Sequence, residues 1–244
     1  MGAISGFLGS KLARFLSSPL PNYKQFSSLT IQQLKDTLQP GDLLLVEGDT
    51  RISVAIKYLT QSTWSHVAIY IGDRSGFEPL LEADLNDGVI TVPLSKYEGF
   101  NLRICRPVDL TETDRENLLK YCIDRMGYTY DTKNIFDLMR YLLPTPPVPS
   151  RYRRKLIALG SGDPTKAICS TLVAQAFQSI KYPILPRAVD ASMGNQELTS
   201  ENSLLEKRHY SHFTPRDFDL SPYFRVVKPT IEAKFSYKKL RWND

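Results

Sequence analysis

Trp64-Ser65-His66-Val67-Ala68-Ile69-Tyr70-Ile71, then Gly72-Asp73-Arg74-Ser75-Gly76, then Glu78-Pro79-Leu80-Leu81-Glu82-Ala83 is the stretch that decides the fold. The outer blocks read as strands, and the middle block is built of residues that accept turn geometry. A hairpin centred near Arg74 brings His66 opposite Glu82, with Cβ atoms about 4.5–5.5 Å apart. A carboxylate beside an imidazole can fix its tautomer and stabilise its charged form. The same pair also suits a solvated sheet face with a structural histidine, and a one-residue slip turns Glu82 to the other face.

Upstream of this hairpin, Thr30–Leu38 reads as a short helix that Pro40-Gly41 ends, launching Asp42–Val46 as a buried strand. Residues 51–60 form a helical pattern leading into the His66 strand. Downstream, Asn86-Asp87-Gly88 is a second hairpin signal before Val89–Val92, and residues 101–106 read as a further strand. Short strands linked by turns predict a small, mainly antiparallel sheet. Helices are expected over 112–126, with Leu118, Leu119, Cys122, Ile123 and Met126 on one stripe, across Lys133–Leu142, and near 165–180. Residues 143–164, rich in proline and basic side chains, form an insertion that reads equally as a lid or as a solvated connector.

The organisation expected is an N-terminal amphipathic, helical extension over 1–38, a core over 39–185 containing that insertion, and a C-terminal extension over 186–244 packed on the core. In residues 2–17, Ile4, Phe7, Leu8, Leu12, Phe15 and Leu16 recur at helical spacing. That stripe suits a helix docked on the protein's own core or one lying in a membrane interface. Gly6 stands where a myristoylation signal wants Ser or Thr.

The 244 residues carry 31 basic and 26 acidic side chains, a formal charge of +5. This permits contact with an anionic surface and does not call for nucleic acid. There is no internal repeat, P-loop, glycine-rich dinucleotide fingerprint or zinc-type cysteine pairing, and neither a cofactor nor a metal is expected. Three cysteines suit a reducing compartment better than a disulfide framework. No apolar run reaches membrane-spanning length, and Lys11 and Arg14 interrupt the start as a secretory signal. A cytoplasmic location, with peripheral membrane contact as an option, is the expectation. His209 and His212 have the spacing of a metal pair without an accompanying ligand array, and their neighbourhood reads as a surface tail pinned by Phe213, Phe218, Tyr223 and Phe224. The run Arg151, Arg153, Arg154 and Lys155 is a solvated basic segment or a contact for phosphate or carboxylate.

Cys105 in a strand and Cys122 on an apolar helical stripe read as small core residues. Cys169 falls on one helical face with Ile168, Leu172, Val173, Ala176, Phe177 and Ile180, the face that packs on the sheet. A helix starting near Lys166 keeps Cys169 in the first turn, where free N–H groups and the dipole favour a thiolate. A start at Pro164 places it beyond that turn, and both readings stay open.

Taken jointly, Gly41-Asp42-Leu43-Leu44, Trp64 to Gly72, Glu82, and Ile168-Cys169-Ser170-Thr171-Leu172-Val173 resemble circularly permuted NlpC-type papain-like hydrolases of the YaeF/YiiX kind. The order histidine, acidic residue, cysteine is that of the permuted branch. The resemblance covers about residues 40–185, and Phe213–Phe224 looks like the C-terminal region of YiiX-like proteins. It implies an α+β fold with an antiparallel, partly barrel-like sheet packed against a helix carrying the cysteine. It also implies Cys169 as nucleophile, His66 as base and Glu82 as the polar third member. Proteins similar to lecithin:retinol acyltransferase use a histidine in that third place, so Glu82 points to the YiiX-like side. The function implied is a thiol hydrolase, amidase or esterase, acting through an acyl-cysteine on a peptide or lipid-linked acyl substrate. An acyltransferase with the same site and a non-catalytic lipid- or peptide-binding module are the rival readings.

Overall fold

In the computed structural model, which describes residues 18–19, 29–74, 76–129, 168–188, 205–234 and 238, the strands alternate their side chains between two apolar layers. The expected N-terminal helix over 2–17, the helix across 133–142 and the insertion 143–164 lie outside the described residues. The strands are β1 (Leu43–Val46), β2 (His66–Tyr70), β3 (Leu80–Asp84), β4 (Gly88–Val92), β5 (Leu102–Pro107), β6 (Arg187–Ala188), β7 (Leu205–Glu206) and β8 (Phe224–Val227). Six of them form one antiparallel sheet in the order β4-β3-β2-β1-β5-β8, while β6 and β7 pair separately. The fold is α+β, but the sheet is open, with β4 and β8 as its two ends, and is not the partial barrel expected from the sequence.

The helices are α1 (Ile31–Thr37), α2 (Arg51–Thr60), α3 (Glu112–Ile123), α4 (Ile168–Ser179), α5 (Pro215–Leu220) and α6 (Pro229–Glu232). Their starts follow local chemistry. The Thr30 hydroxyl accepts from the Gln33 N–H in a reciprocal capping box, and the Thr50 and Thr111 hydroxyls cap α2 and α3 by accepting from the Ser53 and Asp114 N–H groups. No helix among the described residues is long and apolar enough to cross a membrane.

Period-two alternation sorts the core. Leu44, Val46, Ala68, Tyr70, Leu80, Val92 and Ile104 face one side, under Leu34 and Leu38. Leu43, Leu45, Val67, Ile69, Leu81 and Cys105 face the other, where they share a buried cluster with Leu118, Leu119, Leu172, Val173 and Phe177. The outer strand β4 is not left bare. Val89 N–H donates to the Tyr128 carbonyl and Gly127 N–H to the Val89 carbonyl, at 2.9 and 2.8 Å. Gly88, with φ +74°, sits where a side chain would collide with that Tyr128 carbonyl.

Residues 205–227 do more than trail over the surface. Phe213, Phe218 and Phe224 are buried in the α3–α4 layer, and β8 pairs with β5. His209 and His212 themselves are exposed, while Ser211 between them is buried and the His209 ring lies tilted against Tyr210 with centroids 4.1 Å apart.

Candidate active site

Glu82 stands in the middle of β3 with its side chain 1% exposed, and His66 opens β2. Their meeting differs in register from the one expected. Ile69 pairs with Leu81 and Tyr70 with Leu80, so each β2 residue meets a partner two positions further along β3. Continuing that register, Glu82 lies level with Ala68 and reaches His66 diagonally. The turn is the cause: Arg74 bridges to Phe77, whose N–H donates to the Arg74 carbonyl at 3.0 Å, so the loop centres beyond Arg74. A shift of two preserves the face, and a diagonal neighbour is within reach of a long side chain. His66 Nε2 lies 3.2 Å from Glu82 Oε2.

Two further residues, which the sequence did not single out, complete the surroundings of Glu82. The Tyr97 hydroxyl donates to Glu82 Oε2 and the Lys96 ammonium to Oε1, both in short hydrogen bonds. They come from the 3-10 turn Leu94–Tyr97, which buries Leu94 and Tyr97 beneath the sheet and leaves Lys96 partly exposed. The Tyr97 ring lies 6.1 Å from His66 and packs edge-on against Phe100 at 5.7 Å. Nothing periodic marks a single 3-10 turn, which explains why these two escaped notice.

The electrostatics follow from this enclosure. Burial pushes the His66 imidazole toward neutrality, but the charge on Cys169 and then that on Glu82, with hydrogen bonds to both, outweigh it and raise the pKa to about 10. For Glu82, burial favours the protonated form, yet the imidazolium and then Lys96 hold its pKa down at about 2. Burial, followed by the Glu82 charge, keeps the Tyr97 phenol well above its ordinary value.

Cys169 is 5% exposed and stands second in α4, sharing the buried layer with Leu172 and Val173. Its neighbour Ser170 donates to the Phe213 carbonyl at 2.6 Å, and Gln178 donates to the Arg208 carbonyl at 2.7 Å. Tyr182, just past α4, donates to the Tyr223 carbonyl at 2.6 Å. The C-terminal segment thus holds the cysteine-bearing helix along its length. Cys105 and Cys122 are fully buried, and burial pushes both thiols up to about 12, as suits core residues. His209 Nδ1 lies 2.7 Å from Ser211 Oγ and accepts from the Ser211 N–H, a capping role. Among the described residues, no group of three or more His, Cys, Asp or Glu side chains could hold a metal ion.

Comparison with known proteins bears on the family and not on the individual site residues. Residues 37–141 match the family of permuted papain-like amidase enzymes of the YaeF/YiiX type, a segment that holds His66 and Glu82 and ends before Cys169. The probable lipoprotein peptidase YaeF of Escherichia coli strain K12 is 27% identical over 184 residues, which are 66% of this chain and 65% of that protein. The chain therefore aligns with about two thirds of the curated relative's length. The crystal structure of metalloprotein yiiX from Escherichia coli O157:H7 aligns over 78% of this chain and 96% of its own, at 15% identity and a TM-score of 0.36.

Proposed function

We propose that this chain, which is YaeF/YiiX-like, is a thiol hydrolase cutting an amide or ester bond, with Cys169 as nucleophile, His66 as acid–base and Glu82 as orienter. The observation that carries the reading is the His66 imidazole held 3.2 Å from a carboxylate that is only 1% exposed, with interactions with Cys169 and Glu82 raising its pKa to about 10 against the pull of burial. A structural histidine needs one partner. One whose charged form is held jointly by a thiol and a buried carboxylate is arranged for proton transfer.

The chemistry runs as acyl transfer. The Cys169 sulfur attacks the acyl carbon, and the Cys169 backbone N–H is a natural donor to the oxyanion that develops. The bond from carbon to nitrogen or oxygen breaks as the His66 imidazolium gives its proton to the departing amine or alcohol. Water then attacks the thioester, losing a proton to His66, and the carbon–sulfur bond breaks to release the acid and restore the thiolate–imidazolium pair. Glu82 keeps the imidazole oriented and takes no proton itself, since His66 and Lys96 hold its pKa down at about 2 against the effect of burial.

A peptide or lipid-linked acyl group is the substrate class this reading favours, and the relative named as a probable lipoprotein peptidase supports it. The test is the pH dependence of Cys169 alkylation, followed by mass spectrometry in the parent and in His66→Ala, together with turnover in Cys169→Ala. Rapid labelling well below pH 8 that is lost in His66→Ala, with no turnover in a folded Cys169→Ala, is expected. Slow labelling in the parent that His66→Ala leaves unchanged would sink the assignment.

A further inference from the structure

Beside the strand that carries His66 lies a cleft of about 520 Å³ that the proposed chemistry does not use. Three cations enter it from three elements: Lys57 from α2, Arg103 from β5 and Arg216 from α5. Trp64 and Leu220 supply apolar wall, and Asp219 is the only carboxylate among the described residues lining it. That carboxylate is already engaged. Arg103 Nη1 donates to Asp219 Oδ1 at 2.5 Å, and Trp64 Nε1 donates to Asp219 Oδ2 at 3.1 Å.

The consequence is a guanidinium held ready. Arg103 lies over the Trp64 ring, 4.9 Å from its centre, and its side chain remains 38% exposed. Among the described residues its other N–H donors meet no acceptor. Arg216 gives one donor to the Thr60 carbonyl at 2.9 Å and keeps the others. A planar fork fixed before binding loses little freedom when it takes a phosphate or carboxylate, which it can grip with two parallel hydrogen bonds. Lys57 is balanced by its ion pair with Glu47 at 3.3 Å, so it is the two guanidiniums against one committed carboxylate that leave the cleft positive.

The cleft continues past Thr63, Trp64 and Arg103 into a groove of about 310 Å³ that those three residues also line. There the walls are Leu102, Val226, Val227 and Pro229, with the exposed Lys228 alongside. A bare inorganic anion would leave this apolar half unused, and a neutral apolar ligand would leave the guanidiniums unmatched.

We propose that the cleft and groove together bind an anionic amphiphile, its phosphate or carboxylate head between Arg103 and Arg216 and its apolar tail along Leu102, Val226 and Pro229. The site shares no residue with His66, Glu82 and Cys169, so it stands or falls apart from the thiol chemistry.

Trp64 is one of two tryptophans in the chain, so its emission becomes a direct readout in a Trp242→Phe background. The full chain is titrated with dodecyl phosphate below its micelle concentration, with inorganic phosphate and with dodecanol. Dodecyl phosphate is expected to give a saturable change, with affinity about tenfold lower in Arg103→Gln and in Arg216→Gln. Added salt weakens it, and Cys169→Ala leaves it intact, which separates this site from the proposed thiol chemistry. Arg216→Gln surrenders only the Thr60 contact and keeps the test open if Arg103→Gln does not fold. The proposal is overturned by no saturable change, or by equal affinity in Arg216→Gln. Inorganic phosphate binding as tightly would assign a free anion and remove the tail, and dodecanol binding as tightly would remove the head.

Discussion

Two carboxylates, Asp42 and Glu82, are both about 1% exposed, and they are closed in opposite ways. Arg106 grips Asp42 with both ends of its fork, Nε to Oδ1 at 2.8 Å and Nη2 to Oδ2 at 2.7 Å, while Gln39 N–H adds a third donor at 2.8 Å. Arg106 also reaches the Thr37 carbonyl, and the hydrogen bond to Asp42, working against burial, raises its pKa further. Every partner there is a fixed charge or a backbone dipole, and the cluster ties the end of α1 to β5. Glu82 instead holds a phenol, an ammonium and an imidazole, and Cys169 as well as Glu82 raises the pKa of that imidazole. Equal burial therefore says little about role. What separates a clamp from a candidate site is whether one of the partners can titrate.

The largest effect should come from breaking the clamp. Arg106→Leu leaves Asp42 buried without its cation and is expected to cost about 3–5 kcal/mol in urea unfolding. Cys169 alkylation in the fraction that remains folded should be unchanged. Loss of that reactivity at native-like stability would erase the distinction between the two carboxylates. Glu82→Gln should show the reverse profile. It keeps a hydrogen-bonding group of the same shape but removes the charge, so turnover should fall about 10²-fold with some activity left. If the variant unfolds and loses all activity together, Glu82 belongs with Asp42 as a structural group.

The pH dependence sharpens the contrast. His66 has a folded pKa raised from 6.5 to about 10, so its stabilising contribution is complete below pH 6.5 and is lost as pH rises through 10. Glu82 is held at about 2 against 4.5, so its contribution is present above pH 4.5 and is lost as pH falls through 2. Turnover should accordingly be level from pH 5 to 9, with no inflection near 6.5. In Glu82→Gln the imidazolium loses an anion, so the alkaline limb should move to lower pH; a limb that stays in place would mean that Glu82 does not govern His66.

Much of this was legible before any coordinates. The helices over 31–37 and 51–60 follow their threonine caps and apolar spacing, and β1 to β5 follow short runs bounded by turn residues. The hairpin brought His66 and Glu82 to one face because a side-chain period of two survives an even slip. Its register escaped because Gly72 and Gly76, both at positive φ, let the loop close around Arg74 and Phe77. The partly barrel-like sheet implied by the resemblance is not seen, and strand patterns could not have decided it: they report which face is buried but not how far the two end strands curl toward each other. Lys96 and Tyr97 reach Glu82 through tertiary packing of one 3-10 turn, and β8 joins β5 across more than a hundred residues. Neither leaves a local periodic signal.

Those two partners of Glu82 provide the smallest and most discriminating test. Tyr97→Phe removes one donor from a buried carboxylate oxygen that still accepts from His66, and it should destabilise by about 1–2 kcal/mol. Lys96→Met should cost less than about 1 kcal/mol, because that ammonium is partly in water and the solvent screens and replaces it. Their effects on the alkaline limb of turnover should share a direction and differ in size, in the order opposite to their stability costs. Removing a neutral donor leaves the Glu82 charge less shared and its pull on the imidazolium stronger, so Tyr97→Phe should hold or raise that limb. Removing Lys96 takes away a neighbouring cation, which also favours the charged imidazole, so the limb should rise more in Lys96→Met despite its smaller stability cost. If the two effects instead scale with the loss of stability, the turn at Leu94–Tyr97 acts on the site through packing alone. Glu82 would then resemble Asp42 more closely than its partners suggest.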